Sequence, residues 1–142
     1  MLLGNYNTIS NDNIAVNLGN VENLDKSNID SSQGLIKKLS QSKLDINHKN
    51  IYEVNGHSSV KTNNELIVDI YDSEVEDNYG TITEMGEGSV LNNNYGNVVG
   101  NYGLVKICHP GSLVTKNLNG GYIGYVAPGA KVEKKNKEAI FA

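Results

Sequence analysis

The stretch Asn-Tyr-Gly-Asn-Val-Val-Gly-Asn-Tyr-Gly-Leu-Val, residues 94–105, contains the pattern that decides the fold. Asn-Tyr-Gly occurs twice in it and once more at 78–80, and each copy is followed by one residue and then an aliphatic β-branched residue. Outward from this stretch, such residues recur at intervals of 7, 8, 8, 7, 9, 9 and 9, at Val75, Ile82, Val90, Val98, Val105, Val114, Ile123 and Val132. Intervals this variable do not fit a helical heptad, and they favour short strands joined by tight corners.

Each repeat has a simple physical interpretation. A β-branched residue at the centre of a short strand points inward, and Gly or Asn, which tolerate positive φ, turn the chain at a corner. We therefore predict that the core consists of Ile82, Val90, Val98, Val105, Val114, Ile123 and Val132. The predicted corners are Gly80, Gly96 and Gly103 with Asn78, Asn94 and Asn101.

The predicted fold class is mainly β, with a short-repeat β-solenoid in the C-terminal half. Three consecutive units span 23 residues from Val75 to Val98 and 25 from Val98 to Ile123, which suggests a three-sided coil. Residues 74–133 would then form only about two and a half coils, fewer than a solenoid normally needs. We therefore expect an intertwined homotrimer, in which neighbouring chains cover the open strand edges.

The Asn-Tyr pairs at the corners suggest a further arrangement. Side-chain amides at equivalent corners can hydrogen-bond in a ladder along the axis, and the tyrosine rings beside them can stack. The alternative is that Asn-Tyr-Gly is a plain turn with an exposed ring.

Glycine usage divides the chain near residue 74. Four glycines precede that point, and the other eleven lie between Gly80 and Gly129. We assign residues 1–73 to a small α+β or extended N-terminal attachment region, with an extended arm, one short helix at about 34–45 and strands at about 51–71. Asn55-Gly56 predicts a hairpin between two of these strands. Residues 74–133 form the β-helical repeat region, and residues 134–142 read as a charged tail or cap.

Composition narrows the possible functions. The 142 residues include 22 Asn and no Arg, and the net charge is −4, which argues against binding to a nucleic-acid backbone. Cys108 is the only cysteine, so an intrachain disulfide is not expected. We identify neither a signal peptide at Met1–Gly4 nor an apolar run long enough to cross a membrane.

The residues that could carry chemistry are scattered. His48, His57 and His109 are isolated in sequence, and the neighbours Cys108 and His109 face opposite ways on a strand, so a catalytic dyad between them is not expected. The acidic run from Asp69 to Asp77 is an oxygen-rich candidate for an ion, but it lacks the EF-hand spacing. We assign no catalytic, cofactor-binding or metal-binding residue and expect no cofactor.

The repeats at 78–82, 94–98 and 101–105 resemble those of trimeric β-helical fibres and spikes on phage particles, and are also similar to Asn/Gly-rich solenoids of low-GC bacterial surface proteins. The first resemblance implies a non-enzymatic virion component, either a head fibre or capsid decoration or a short tail fibre or spike. It would be assembled in the host cytoplasm and contact capsid or tail proteins or a host-surface glycan. The second implies a bacterial scaffold or adhesin. A small trimeric β-helix enzyme is a third interpretation.

Overall fold

A computed structural model of the chain describes residues 1–134, which contain strands and corners and no helix. Each strand is four to six residues long, as expected of short strands between closely spaced turns. The 17 strands are β1 Asn5–Ser10, β2 Asn13–Asn17, β3 Asn20–Asp25, β4 Asn28–Ser32, β5 Leu35–Ser40, β6 Lys43–Asn47, β7 Asn50–Asn55, β8 Ser59–Asn63, β9 Leu66–Ile70, β10 Glu74–Asn78, β11 Thr81–Met85, β12 Val90–Asn94, β13 Asn97–Asn101, β14 Leu104–Cys108, β15 Leu113–Asn117, β16 Tyr122–Val126 and β17 Lys131–Lys134.

The strands form a two-sided parallel β-solenoid. Odd-numbered strands make a nine-stranded sheet in chain order, and even-numbered strands make an eight-stranded sheet. Each coil therefore contains two strands and two corners. Most coils advance the chain by 15 residues, as from Asn63 to Asn78, or by 16, as from Asn47 to Asn63. Later coils vary more, with 14 residues from Asn94 to Cys108 and 18 from Cys108 to Val126. The predicted β-solenoid is confirmed, but the three-sided coil of 23–25 residues is wrong.

Apolar side chains in rows along the stack form most of the core: the nine-stranded sheet contributes two rows from β3 to β11 and one row beyond, and the eight-stranded sheet contributes mainly one. Five of the seven predicted core residues are fully buried: Ile82, Val98, Val105, Val114 and Ile123. Val132 is partly buried at the C-terminal end of the row. The prediction that Val90 lies in the core is wrong. Val90 pairs in register with Glu74 and Leu104 on the outer surface, and its neighbour Leu91 occupies the core position.

The helix predicted at about 34–45 is wrong. Residues 35–40 form β5 and residues 43–47 form β6, on opposite sheets. Ile36, Leu39 and Leu44 are all buried in the common core. The apolar spacing that suggested a helix arises because a strand of this solenoid points inward at two positions, three residues apart.

Strands are confirmed within 51–71, but the hairpin is wrong. β7 and β8 lie in different sheets, and each pairs in parallel with strands of the preceding and following coils. Gly56 and His57 both have positive φ there, so Asn55-Gly56 turns the chain from one sheet to the other.

The stack continues without interruption past residue 74, because β8 pairs with β10 and β9 pairs with β11. The first half contains few glycines because other residues hold the left-handed corner conformation. Five non-glycine residues have φ between 48° and 63°, at Asn11, Lys26, Gln41, His57 and Asp72. Later corners use Gly88, Gly111, Gly120 and Gly129 with positive φ. The assignment of 1–73 to attachment stays a prediction. Of the charged tail or cap predicted at 134–142, Lys134 is the last residue of β17, and residues 135–142 lie outside the described residues.

The reason for expecting an intertwined trimer also changes. A stack of about two and a half coils would need neighbouring chains to cover it, whereas residues 5–134 form eight complete coils and the first strand of a ninth. Strands within this one chain pair with one another and enclose a continuous core. The trimer stays a prediction of the sequence, and the strand pairing does not require it.

The register at β12 can be tested with two truncations. Leu91→Ala removes a fully buried side chain and is expected to lower the free energy of unfolding by about 2–4 kcal/mol. The neighbouring Val90→Ala removes half-buried methyl groups on the outer surface and should lower it by less than about 1 kcal/mol. Urea denaturation of both variants measures the difference. Equal losses, or a larger loss for Val90→Ala, would contradict this register.

Candidate functional site

A ladder of buried asparagine side chains runs along one edge of the eight-stranded sheet, and we call it the Asn ladder. The Nδ2 atom of Asn47 donates to Oδ1 of Asn63 at 2.8 Å, Asn63 donates to Asn78 at 2.8 Å, and Asn78 donates to Asn94 at 3.0 Å. All four residues are fully buried. The ladder predicted from Asn78 and Asn94 is thus confirmed, and it extends to earlier coils that contain no Asn-Tyr-Gly.

The same amides also hold the corner of their own coil. Oδ1 of Asn94 accepts the backbone N–H of Gly96 at 3.2 Å, and Nδ2 of Asn78 donates to the carbonyl of Gly80 at 3.2 Å. A side chain at Gly80 or Gly96 would meet the backbone of the preceding coil, since a Cβ there would lie only 2.0–2.2 Å from a carbonyl oxygen. Asn-x-Gly is therefore required by both hydrogen bonding and close backbone approach.

Serines line the opposite corner in a second ladder that the sequence analysis missed. The backbone N–H of Ser27 donates to Oγ of Ser42 at 3.0 Å, Ser42 donates to Ser58 at 3.1 Å, and Ser58 donates to Ser73 at 3.0 Å. These serines are buried. Their spacing of 15 or 16 residues was visible in the sequence and would have revealed the true coil length in the first half.

Near the third Asn-Tyr-Gly, at 101–103, the buried Asn ladder changes from the edge of the eight-stranded sheet to the edge of the nine-stranded sheet. Asn101 belongs to β13, in the nine-stranded sheet, and starts a separate ladder by donating to Asn117 at 2.9 Å. In the eight-stranded sheet the register position after Asn94 is Cys108. The three asparagines predicted as equivalent corners therefore lie on two different edges. This exchange explains why the β-branched residues near 98 and 105 follow one another at short intervals, because two-residue corners connect β13 to the strands before and after it.

Aromatic rings stack beside the Asn ladder on the outside of the corner. The rings of Tyr79 and Tyr95 lie 4.8 Å apart and almost parallel, at 7°, and the ring of His109 lies 4.1 Å from that of Tyr95, at 9°. His109 Nε2 and Oδ1 of Asn93 are 2.9 Å apart. Tyrosine stacking at these corners is confirmed, and stacked faces within the row are covered by their neighbours. Tyr102 lies on the other edge with Asn101.

Cys108 and His109 diverge, as expected of adjacent strand residues. The thiol is buried with 0% exposure, while His109 stacks on the outer surface. Burial raises the pKa of Cys108 to about 11, although hydrogen bonds from Ser112 and Asn94 oppose the shift. A thiol with this pKa is protonated at neutral pH, so the side chain is a poor nucleophile or metal ligand there.

The acidic run does not converge on one point. Asp69 lies on the nine-stranded sheet, whereas Glu74, Glu76 and Asp77 lie on the eight-stranded sheet. Among residues 1–134, no group of three His, Cys, Asp or Glu side chains is placed to hold a metal ion, and no helix is long and apolar enough to span a membrane. Surface depressions in the described part are open, as at the corner beside His57 and Asp72.

Comparisons with known proteins do not assign a family. No family model, no curated protein and no solved structure matches the chain.

The Asn ladder can be tested with two neighbouring asparagines. Asn94→Ala removes an acceptor of both Asn78 and Gly96 inside the protein, and should lower the free energy of unfolding by about 2–3 kcal/mol. Asn93→Ala removes outer-surface contacts to Asp77 and His109, and should lower it by less than about 1 kcal/mol. Chemical denaturation measures both, and a ladder without energetic importance would give two equally small losses.

Because the thiol of Cys108 is buried, we expect the free energy of unfolding to decrease at alkaline pH. Because the native pKa is about 11 and the ordinary value is 9.0, the folded state favours the neutral thiol. Its contribution to stability is complete below about pH 9 and is lost as the pH rises towards 11. Between pH 8 and 10.5 the free energy of unfolding should therefore fall more for the native protein than for Cys108→Ala, which retains every tyrosine. Equal falls would contradict the burial of this thiol.

Proposed function

We propose that the chain is a non-enzymatic structural protein that serves as a rigid rod. The supporting observation is the unbroken parallel stack of residues 5–134, in which each coil is tied to the next through backbone pairing, aliphatic packing and buried amide or hydroxyl ladders. Nine strands at about 4.8 Å spacing give a rod about 38 Å long. Such a stack suits mechanical and spacing roles.

The more specific proposal is a bacteriophage virion component, either a head fibre or capsid decoration or a short tail fibre or spike. It is supported by the resemblance of the Asn-Tyr-Gly repeats to those of phage fibres. In this role residues 1–73 attach to capsid or tail proteins and the later coils project, where they meet the host surface or its glycans. The protein would join the virion during assembly in the host cytoplasm.

A bacterial scaffold or surface adhesin is the second candidate, favoured by the same fold and by the similarity to Asn/Gly-rich bacterial solenoids. The two candidates differ in where the protein accumulates. A virion component is carried with purified particles at a fixed number of copies, whereas a cellular scaffold or adhesin remains with the cell or its envelope after particles are removed.

Quantitative mass spectrometry of density-purified particles and of the matching cell fractions tests the assignment. We expect a constant ratio to the major capsid protein across successive gradients. Recovery in the envelope with none in particles would replace the virion proposal with the scaffold or adhesin. Recovery only as free protein in the cell extract, with none in particles, cellular assemblies or envelope, would overturn both.

A further inference from the structure

The two sheets present different outer surfaces. In each strand three residues face outward, namely the two that flank the first inward position and the one that follows them, so each sheet carries three outward columns. Over β9, β11, β13 and β15 of the nine-stranded sheet the first two columns contain no charged residue, and we call this area the uncharged face. Its members are Leu66, Val68, Thr81, Thr83, Asn97, Val99, Leu113 and Thr115.

The opposite sheet has no such area in the middle of the stack. The equivalent columns of β6, β8 and β10 hold Lys43, Asp45, Lys61, Glu74 and Glu76. A solvated face normally alternates charge in this way. The uncharged face instead contains exposed Val99, at 38% exposure, with half-buried Leu113 on the next strand and half-buried Leu66 and Val68 two strands away.

A column of charges flanks the uncharged face, and its sign changes along the rod. Glu53, Asp69 and Glu84 are in register on β7, β9 and β11, so three carboxylates follow one another at single-strand spacing. Two lysines, Lys116 on β15 and Lys134 on β17, are in register beyond them. Like charges in register destabilise a sheet. The Nζ atom of Lys38 lies 3.8 Å from a carboxylate oxygen of Glu53, and it therefore offsets the repulsion at only one end of the acidic row.

This arrangement is self-complementary when a second copy lies face to face and antiparallel. A two-fold axis along the strand direction, between β11 and β13, places β9 over the partner's β15 and β7 over its β17. Asp69 then faces the position of Lys116, and Glu53 that of Lys134. On the same two strands, Leu66 meets the position of Leu113 at the edge where each strand begins. A parallel arrangement would instead place the acidic coils of both copies together.

We propose that the uncharged face is a homodimer interface with this antiparallel two-fold geometry. From β7 to β17 the whole contact area, which adds the flanking charge column and Lys131 and Glu133 of β17 to the uncharged face, is about 24 Å long, and a five-residue strand is about 16 Å wide. The resulting projected area, on the order of 400 Å² per copy, is smaller than the approximately 800 Å² of a standard interface. The dimer is therefore weak in isolation, and it is strengthened where copies are held side by side.

Sedimentation equilibrium of the full chain from about 10 µM to 1 mM tests the proposal. We expect a monomer–dimer equilibrium that Val99→Lys weakens at least tenfold with an unchanged thermal midpoint, because two added charges meet near the two-fold axis. Thr83→Lys, also exposed, repeats the test at a second position. Ala15→Lys, on the equivalent column of the opposite sheet, is the control and should leave dimerisation unchanged.

Charge exchange tests the antiparallel register. Asp69→Lys and Lys116→Asp should each weaken the dimer severalfold, and the double variant should restore it to within about twofold. A monomer throughout the concentration range, a trimer, or a dimer weakened by Ala15→Lys but not by Val99→Lys would overturn the proposed interface. A double variant as weak as the single ones would overturn the antiparallel register.

Discussion

The structure depends on one constraint: in a parallel stack each coil must satisfy the polar groups of the coil beside it. Two corners per coil bring backbone and side-chain amides into the interior, where an unpaired group costs about 1–3 kcal/mol. The Asn ladder meets this requirement on one edge and the serine ladder on the other. Both work only when the same residue type recurs at the same place, so repetition in sequence follows from hydrogen bonding in space.

The low hydrophobicity of the chain is a consequence of the same geometry. Each strand sends only two side chains inward, and on one sheet the second is usually Asn or Ser rather than an aliphatic residue. A narrow core therefore forms from a chain that is 38% hydrophobic. The rod is held together by many equivalent contacts along its axis, each between one coil and the next.

The change of the ladder from one edge to the other at Asn101 alters the buried residues of the corner, while the aromatic row outside it continues. Before it, the Asn ladder follows the eight-stranded sheet, and after it a new ladder begins on the nine-stranded sheet. Cys108 then takes the vacated ladder position, where burial raises its pKa. Outside, the stacked row of Tyr79, Tyr95 and His109 follows the first edge across this point. The rod is thus continuous even where its internal hydrogen bonding changes sides.

Short-range chemistry by itself determined the solenoid class, most of the core from Ile82 to Ile123, the Asn-Tyr-Gly corners and the absence of a Cys108–His109 pair. These follow from β-branched residues, positive-φ tolerance and strand alternation within a few residues. Tertiary structure decided the two-sided coil, the inclusion of residues 5–73 in the same stack, the inward placement of Leu91 and the exchange of corners. Those depend on which coil stacks on which, because Lys26 or Gln41 adopts the left-handed corner conformation only when neighbouring coils impose it.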